Sequence, residues 1–413
     1  MAHTLDWSDY LVFAFWLVIY SLVGIYHRYR KQIHSKWNSL WRKQSTVEIE
    51  NCDGATEALF FGNRKLTLFP VTCSVIASFL SAISLMGTAT EAYRYGIQFF
   101  VMIIPYIAAF SIASEVYMPV FYKLRLKSAQ ELTHTIIEIH VLTCNSSLKS
   151  ILSFPFKLAY ISLVLYAPGL AFSQVSGLPM WITLISTGLV TTFYTAMGGL
   201  RAVVWTDVIQ LCLLTFGMVL IIILGTIKVG GIQQLWLISL EGLRLQSFSF
   251  DPNPFIRHTV WTLAFGGTGM VLSIYATNQT QVQRYLACRD LKTARLSLLL
   301  NIPFNCLFLA VQLVTGLIIY AYFVGCDPIG SKQVKQPDQL LPYFIMVLFD
   351  GIPVVRGLLL SVIFAAVLST VSSGVNSLAN VILEDIIRPI CYLCGKKQFT
   401  VTILPAMLLC KLT

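Results

Sequence analysis

Apolar stretches near or beyond the ~20 residues that carry a helix across a bilayer recur along almost the whole of this chain. They lie at about 8–26, 71–91, 98–122, 151–172, 180–197, 205–227, 258–280, 297–323 and 354–387, nine spans in all. The composition agrees. Only 12% of the 413 residues are charged, against roughly 25% in an average soluble domain, and the mean hydropathy is +0.73. The sequence therefore describes an all-α polytopic membrane protein.

A net charge of +10 would suggest nucleic acid as the partner of a soluble protein, but the placement of the charges excludes that class here. Basic residues cluster after the first span (Arg28, Arg30, Lys31, Lys36, Arg42, Lys43), after the third (Lys123, Arg125, Lys127), at Arg201, after the seventh (Arg284, Arg289, Lys292, Arg295) and after the last (Arg388, Lys396, Lys397). If the spans alternate in direction, all of these fall on one side. The positive-inside rule makes that side the cytoplasm and places the N-terminus outside. The first apolar stretch follows an acidic leader, Asp6 and Asp9, and lacks a small-residue cleavage site, so it is expected to stay as a signal anchor. The ten cysteines show no disulfide spacing. Cys391 and Cys394 form a C-x-x-C, read as ordinary thiols or a palmitoylated pair, because a zinc site would need two further ligands.

The expected organisation is an N-terminal end and accessory helix (1–27), a cytoplasmic loop (28–69), a first core repeat (70–230), an extracellular loop (231–257), part of a second core repeat (258–390) and a cytoplasmic tail (391–413). Within the first repeat, 132–150 is irregular, neither apolar enough to span nor rich in turn residues. Gly87 interrupts the span at 71–91, and Gly266, Gly267 and Gly269 interrupt that at 258–280. Broken helices at matching places in two halves mark transporter repeats. Glycine also simply lets membrane helices approach closely, and the sequence leaves both readings open. Asn145-Ser-Ser and Asn278-Gln-Thr match the glycosylation pattern but fall on or near the cytoplasmic side and are expected to be unused.

"FAAVLSTVSSGVNSLAN", 364–380, places seven polar side chains in an apolar span, six of them on one stripe. At 100° per residue, Ser369, Ser372, Ser373 and Asn376 share an arc of about 100°, which Thr370 and Ser377 widen by about 60°. The opposite face, Val371, Gly374, Val375 and Leu378, is expected to meet lipid or another helix. A second row of hydroxyls, Ser78, Ser81, Ser84 and Thr88, lies in "ASFLSAISLMGT", 77–88. Hydroxyls join membrane helices at about 0.6 kcal/mol each, which accounts for one or two of them but less well for a stripe of six. A small hard cation needs several oxygen ligands. Hydroxyls and freed carbonyls supply them, so 77–88 reads as one wall of a sodium site. Asp207, in "AVVWTDVIQL", is a carboxylate inside a span, where it needs a cation or water. An ion pair with Arg201 is the plainer alternative. Glu115, nearer the boundary, is expected to form a structural ion pair.

"ASFLSAISLMGTATEAYRYG" (77–96), "MPVFYKLRLKSAQE" (118–131), "TTFYTAMGGLRAVVWTDVIQ" (191–210), "NQTQVQRYLACRDLKTARL" (278–296) and "LSTVSSGVNSLANVILEDIIRP" (368–389) resemble the sodium:solute symporter family. The resemblance is to its branch of monocarboxylate, multivitamin and iodide carriers, and to insect members. It implies a LeuT-type inverted-repeat fold with an extra N-terminal helix and alternating access to a central site. It further implies a sodium ion between the first core span and the eighth, held by the Ser369 and Thr370 hydroxyls and the Ala366 carbonyl and faced by Ser81 and Ser84. Asp207 and Gln210 match the family's polar pair beside the sodium exit route, and the substrate cavity draws on Phe99, Met102, Tyr106 and Trp261.

The resemblance leads to a sodium-coupled symporter that imports a small organic anion, a monocarboxylate or vitamin-like carboxylate, across the plasma membrane. Sodium is the co-transported ion, no organic cofactor is implied, and the bilayer is the surrounding partner. Two departures stand out. "AQELTHTIIEIHVLTCNSS" replaces the family's Y-E-Y-L helix start, and the chain stops at "LLCKLT", where the next family helix would begin. The second repeat is therefore expected to be truncated. The alternative function is a non-transporting isoform that regulates a full-length homologue. An enzyme is not expected, since no H-E-x-x-H, G-x-S-x-G or paired-histidine motif occurs, and nothing resembles a channel filter.

Overall fold

The computed structural model describes residues 6–41, 59–124, 166, 179–246, 248–253 and 255–383. The irregular stretch 132–150, all of the span at 151–172 except Tyr166, Asn145, and the tail with Cys391 and Cys394 lie outside the described residues. Within them the chain is helical, with one isolated backbone bridge, Leu66 to Cys288.

Helix α1 (Trp7–Trp41) is the accessory helix. Helices α2 (Leu68–Phe79) and α3 (Ala82–Tyr95) form one span bent by 56°. Helix α4 (Ile97–Leu124) begins as a 3-10 turn and carries a π-helical turn at Ala113–Tyr117. Helix α5 (Met180–Val229) accounts for two predicted spans as two arms meeting at Gly199, where φ is 60° and ψ −160°. Then follow α6 (Ile232–Glu241), α7 (Thr262–Thr277), α8 (Gln279–Leu286), α9 (Leu291–Tyr322), α10 (Leu340–Leu348) and α11 (Pro353–Val381). Among the described residues five helices are long and apolar enough to cross a membrane, six with the bent α2–α3 pair.

The breaks do not fall on the glycines singled out in the sequence. The α2–α3 span breaks at Leu80–Ser81, where Ser81 turns extended and its hydroxyl accepts from the Ser84 N–H at 3.2 Å, an N-cap for α3. Gly87 lies inside α3 with open space around it. The second break is at Asn278, whose ψ of 124° ends α7 and whose side chain caps α8 by accepting from the Thr280 N–H at 3.0 Å. The asparagine of the Asn278-Gln-Thr match, expected to carry no glycan, is thus a cap. Gly266 and Gly267 keep helical angles. A Cβ on Gly267 would stand 2.7 Å from Pro105, so here the close-approach reading of glycine holds.

Helices α5 and α11 pack along each other, and α1 lies against both; α9 packs on α2, α3, α4 and α5, and α7 on α4. Helix α11 is therefore enclosed rather than two-faced. All six polar side chains of its stripe are buried, but so are Val371 and Gly374 on the face expected to meet lipid or a neighbour. Phe13 of α1 meets Phe364 edge-on at 4.5 Å, and Leu368 shares a core with Tyr20 and Tyr194.

The two ends of the bundle are closed differently. At one end, Arg356 donates to Asp9 at 3.0 Å and to Asp6 at 2.7 Å, Asp9 accepts the Gly357 N–H at 2.9 Å, and Glu91 of α3 accepts from Arg257 and meets His258. At the other, Arg201 donates to the Gly62 carbonyl through Nε and Nη2 at 3.0 and 2.7 Å, Gln283 donates to the Phe60 carbonyl at 2.7 Å, and the Leu66 N–H reaches the Ala287 carbonyl at 3.1 Å. Glu115 pairs with Arg295 at 3.4 Å, as expected.

Candidate functional site

Eight residues past the Gly199 kink, the second arm of α5 delivers Asp207 to the middle of the bundle, fully buried. A carboxylate there is tolerable only if its oxygens are saturated by donors or cations, and three elements supply them. Asp207 Oδ1 accepts the Ser369 hydroxyl of α11 at 2.6 Å. Its Oδ2 accepts the Ser74 hydroxyl of α2 at 2.5 Å and Nη2 of Arg284, on α8, at 3.0 Å. The same guanidinium donates through Nη1 to Gln281 at 3.1 Å and through Nη2 to the Ser373 hydroxyl.

The ion pair corrects the sequence reading twice. Arg201 does not reach Asp207, because it is spent on the Gly62 carbonyl at the end of the bundle. Arg284, grouped by sequence with the cytoplasmic basic residues, is buried instead. Removing one member of such a pair leaves an uncompensated charge and costs about 3–5 kcal/mol. Arg284, Ser74 and Gln281 are the participants that sequence reasoning missed. A signal was present, since a carboxylate within a span calls for a cation, and only a tertiary contact could say which.

The five expected sodium ligands fall into two groups. Ala366, Ser369 and Thr370 share one turn of α11; Thr370 donates to the Ala366 carbonyl at 3.1 Å, and Ser369 points to Asp207. Ser81 and Ser84 serve the break itself, where the Ser84 hydroxyl donates to the Phe79 and Ser81 carbonyls at 3.2 and 2.8 Å. The groups face a common core, for Ala366 packs in one cluster with Leu80, Ala82 and Leu85. Gln210 is buried next to Tyr194, and its amide closes no hydrogen bond of good geometry among the described residues.

Of the expected cavity residues, Met102 and Tyr106 lie one turn apart on α4 and are buried. The Tyr106 ring meets Phe79, the last residue before the break, edge-on at 5.4 Å, and Met102 abuts Gly267 of α7. Phe99 sits further toward the Glu91 end, against His258 at 5.5 Å. Trp261 is half exposed, and its indole N–H donates to the Phe250 carbonyl at 3.1 Å. The structure thus joins Met102 and Tyr106 to the broken helix and puts Trp261 in a separate contact on the adjoining segment. Among the described residues no cluster of three or more His, Cys, Asp or Glu side chains could hold a metal ion.

A buried carboxylate bonded to hydroxyls from two helices, beside a span broken at mid-depth, agrees with the sequence match: the model of the sodium:solute symporter family fits residues 59–403. The chain belongs to that family. It is 37% identical over 381 residues to sodium-coupled monocarboxylate transporter 1 from Homo sapiens, covering 92% of the chain and 59% of that protein. It is 37% identical over 396 residues to the sodium-dependent multivitamin transporter from Oryctolagus cuniculus, covering 96% and 58%, and 36% identical over 381 residues to the sodium/iodide cotransporter from Homo sapiens, covering 92% and 56%. It therefore spans a little under three-fifths of these relatives. Among solved structures it matches the substrate-bound, outward-open state of a sodium-coupled sialic acid symporter, with a TM-score of 0.75 at 25% identity over 92% of this chain and 75% of that one. The chain has the expected LeuT-type fold and is a multi-pass membrane protein; its family is one of transporters, not enzymes.

Proposed function

We propose that this chain is the core of a sodium-coupled symporter that imports a small organic anion, a monocarboxylate or vitamin-like carboxylate, by alternating access. The observation that carries the reading is the direct bond between Ser369, an expected sodium ligand on α11, and Asp207 on α5, next to the broken α2–α3 span. Sodium is held between α11 and the break by the Ala366 carbonyl and the hydroxyls of Ser369, Thr370, Ser81 and Ser84. It leaves past Asp207 and Gln210. The anion occupies the space bordered by Phe99, Met102, Tyr106 and Trp261, where apolar and aromatic walls suit a small carboxylate with a hydrocarbon body.

The inward sodium gradient and the membrane potential, about 2.3 kcal/mol per charge per 100 mV, drive uptake. Sodium favours the substrate-competent arrangement by tying α11 to the broken helix, and the coupling is reciprocal. The chain lies in the plasma membrane with its N-terminus outside, its C-terminus in the cytoplasm, and the Arg201 end of the bundle facing the cytoplasm.

The test is uptake of labelled lactate, biotin and iodide by cells expressing this chain alone, with sodium replaced by choline as control. Sodium-dependent uptake of a carboxylate supports the reading, and removing the Ser369 and Thr370 hydroxyls together should then raise the sodium concentration for half-maximal uptake before it abolishes substrate recognition. Wild-type sodium dependence in that double variant would overturn the site assignment. A chain that only regulates a full-length relative would give no uptake alone and would change uptake by the co-expressed relative.

A further inference from the structure

Arg284 is the one cation in contact with Asp207 among the described residues, and the way it is held suggests more than charge neutralisation. Asp207 Oδ2 already accepts two bonds, from Ser74 and from Arg284, while Oδ1 accepts only the Ser369 hydroxyl. Ser369 and Ser373 both belong to this network: Ser369 donates to the carboxylate, and Ser373 accepts from Arg284 while donating to the Ser369 carbonyl at 2.8 Å. The guanidinium therefore bridges the carboxylate of α5 and the hydroxyl stripe of α11, where a mobile cation would find its oxygens.

The element that carries it is a short helix set off from its neighbours. Helix α8 has only eight residues, and it is separated from α7 by the extended Asn278 and from α9 by the turn that ends in the Leu66–Cys288 bridge. It is fastened to α11 by Thr280 and Ser377, whose hydroxyls lie 3.1 Å apart, and to the segment before α2 by Gln283 and the Phe60 carbonyl at 2.7 Å. Asp207 itself stands on the long arm of α5, so carboxylate and guanidinium belong to different helices. Within its own network the guanidinium is not saturated either, because Nε, buried, has no hydrogen-bond partner among the described residues.

We infer that Arg284 is a tethered cation that competes with sodium for Asp207, and that it sets how tightly the ion is held and how readily it leaves. A buried carboxylate cannot hold two contacting cations well, because they repel each other at short range in a weakly screened site. Sodium approaching from the Ser369–Thr370 turn meets Oδ1 while the guanidinium holds Oδ2, so each cation weakens the other's hold on the one carboxylate, and the guanidinium helps expel sodium. Arg284 is thus a positioning residue for ion release, not a ligand. The inference rests on the sodium-symport reading above.

The test measures sodium binding rather than transport: thermal stabilisation of the purified chain in detergent, titrated with sodium chloride against choline chloride. A wild type with no sodium-specific stabilisation sinks the symport reading, and this inference with it. With a responsive wild type, Arg284→Gln should lower the half-saturating sodium concentration by about tenfold, since the competing charge is gone. Arg284→Lys keeps a charge but loses the planar fork that grips Asp207 and Ser373, and should lie between the two. If Arg284→Gln does not fold, Arg284→Lys and the charge-balanced pair Asp207→Asn with Arg284→Gln carry the test. The pair, which keeps the five expected ligands but no charge at position 207, should respond to sodium more weakly than Arg284→Lys, which binds sodium more tightly than wild type. An unchanged or raised half-saturation in Arg284→Gln or Arg284→Lys, beside a responsive wild type, would overturn the tethered-cation role alone.

Discussion

The two ends of the helix bundle are fastened by different chemistry. At the Asp9 end, charged side chains meet one another: Arg356 with Asp9 and Asp6, Arg257 and His258 with Glu91, and the Tyr93 hydroxyl with Asp327 at 2.6 Å. At the Arg201 end, donors reach main-chain carbonyls: Arg201 to Gly62, Gln283 to Phe60, Tyr122 to Tyr285, and Leu66 to Ala287. A side-chain pair can be undone by one substitution or by titration. A carbonyl acceptor does not titrate and cannot itself be substituted, although its side-chain donor can. The first end is therefore the more open to salt and pH, and the second, apart from the exposed Glu115–Arg295 pair, rests on donors to carbonyls that do not titrate.

The sharpest way to break this contrast is at Asp9. It is buried, holds the buried Arg356 and caps the first turn of α11 through the Gly357 N–H. Asp9→Ala strands the guanidinium and should lower stability by about 3–5 kcal/mol, read from thermal unfolding of the purified chain in detergent. A loss below 1 kcal/mol would mean that Asp6 and Asp350 suffice to hold Arg356.

At the opposite end, Arg201→Ala removes two charge-assisted bonds to one carbonyl and should cost about 1.5–3 kcal/mol. The loss should be the same at low and high salt, whereas the Asp9-end pairs that face solvent weaken as salt rises. A strongly salt-dependent effect of Arg201→Ala would erase the distinction between the two ends.

Gly199→Ala tests geometry alone. The residue has a positive φ, and a Cβ would stand 2.6 Å from the Leu59 carbonyl oxygen. A loss of about 1–3 kcal/mol is expected, together with faster amide exchange in 59–67 measured by mass spectrometry. Unchanged exchange there would show that the segment is not held by the α5 kink.

The smallest effect is the most specific to the charged end. Burial pushes the exposed Asp327 carboxyl up, but the Tyr93 hydroxyl, the Ile329 and Gly330 N–H groups and nearby Arg94 outweigh it and hold its pKa below the ordinary carboxylate value. A depressed folded-state pKa means stability that is fully present above the unfolded value, about 3.9, and lost as pH falls through the lower folded one. Wild type should lose a little stability on acidification through that window, and Tyr93→Phe should lose less. Equal acid sensitivity would remove Asp327 from the account.

The hydroxyl stripe of α11, the carboxylate in α5 and the family itself are legible in the sequence because they rest on residue types at short spacing. The position of the break was less so. Gly87 looked like the weak point, yet Ser81 decides it, because a side chain that can cap a new helix start offsets the interrupted backbone bonds better than a glycine that merely fails to oppose them. The partner of Asp207 was not legible at all. It is 77 positions away, and by position Arg284 reads as one more cytoplasmic charge.

The sequence by itself determined that this chain is a bundle of membrane helices, which spans carry oxygen-bearing side chains, and that one carboxylate lies among them. Each follows from local composition and the thickness of a bilayer. The tertiary structure decided that α11 is enclosed rather than two-faced, that Arg201 serves the end of the bundle, and that Arg284 enters it. The physical reason is that apolar side chains look alike whether they face lipid or protein, and a charge declares its partner only when the chain has folded around it.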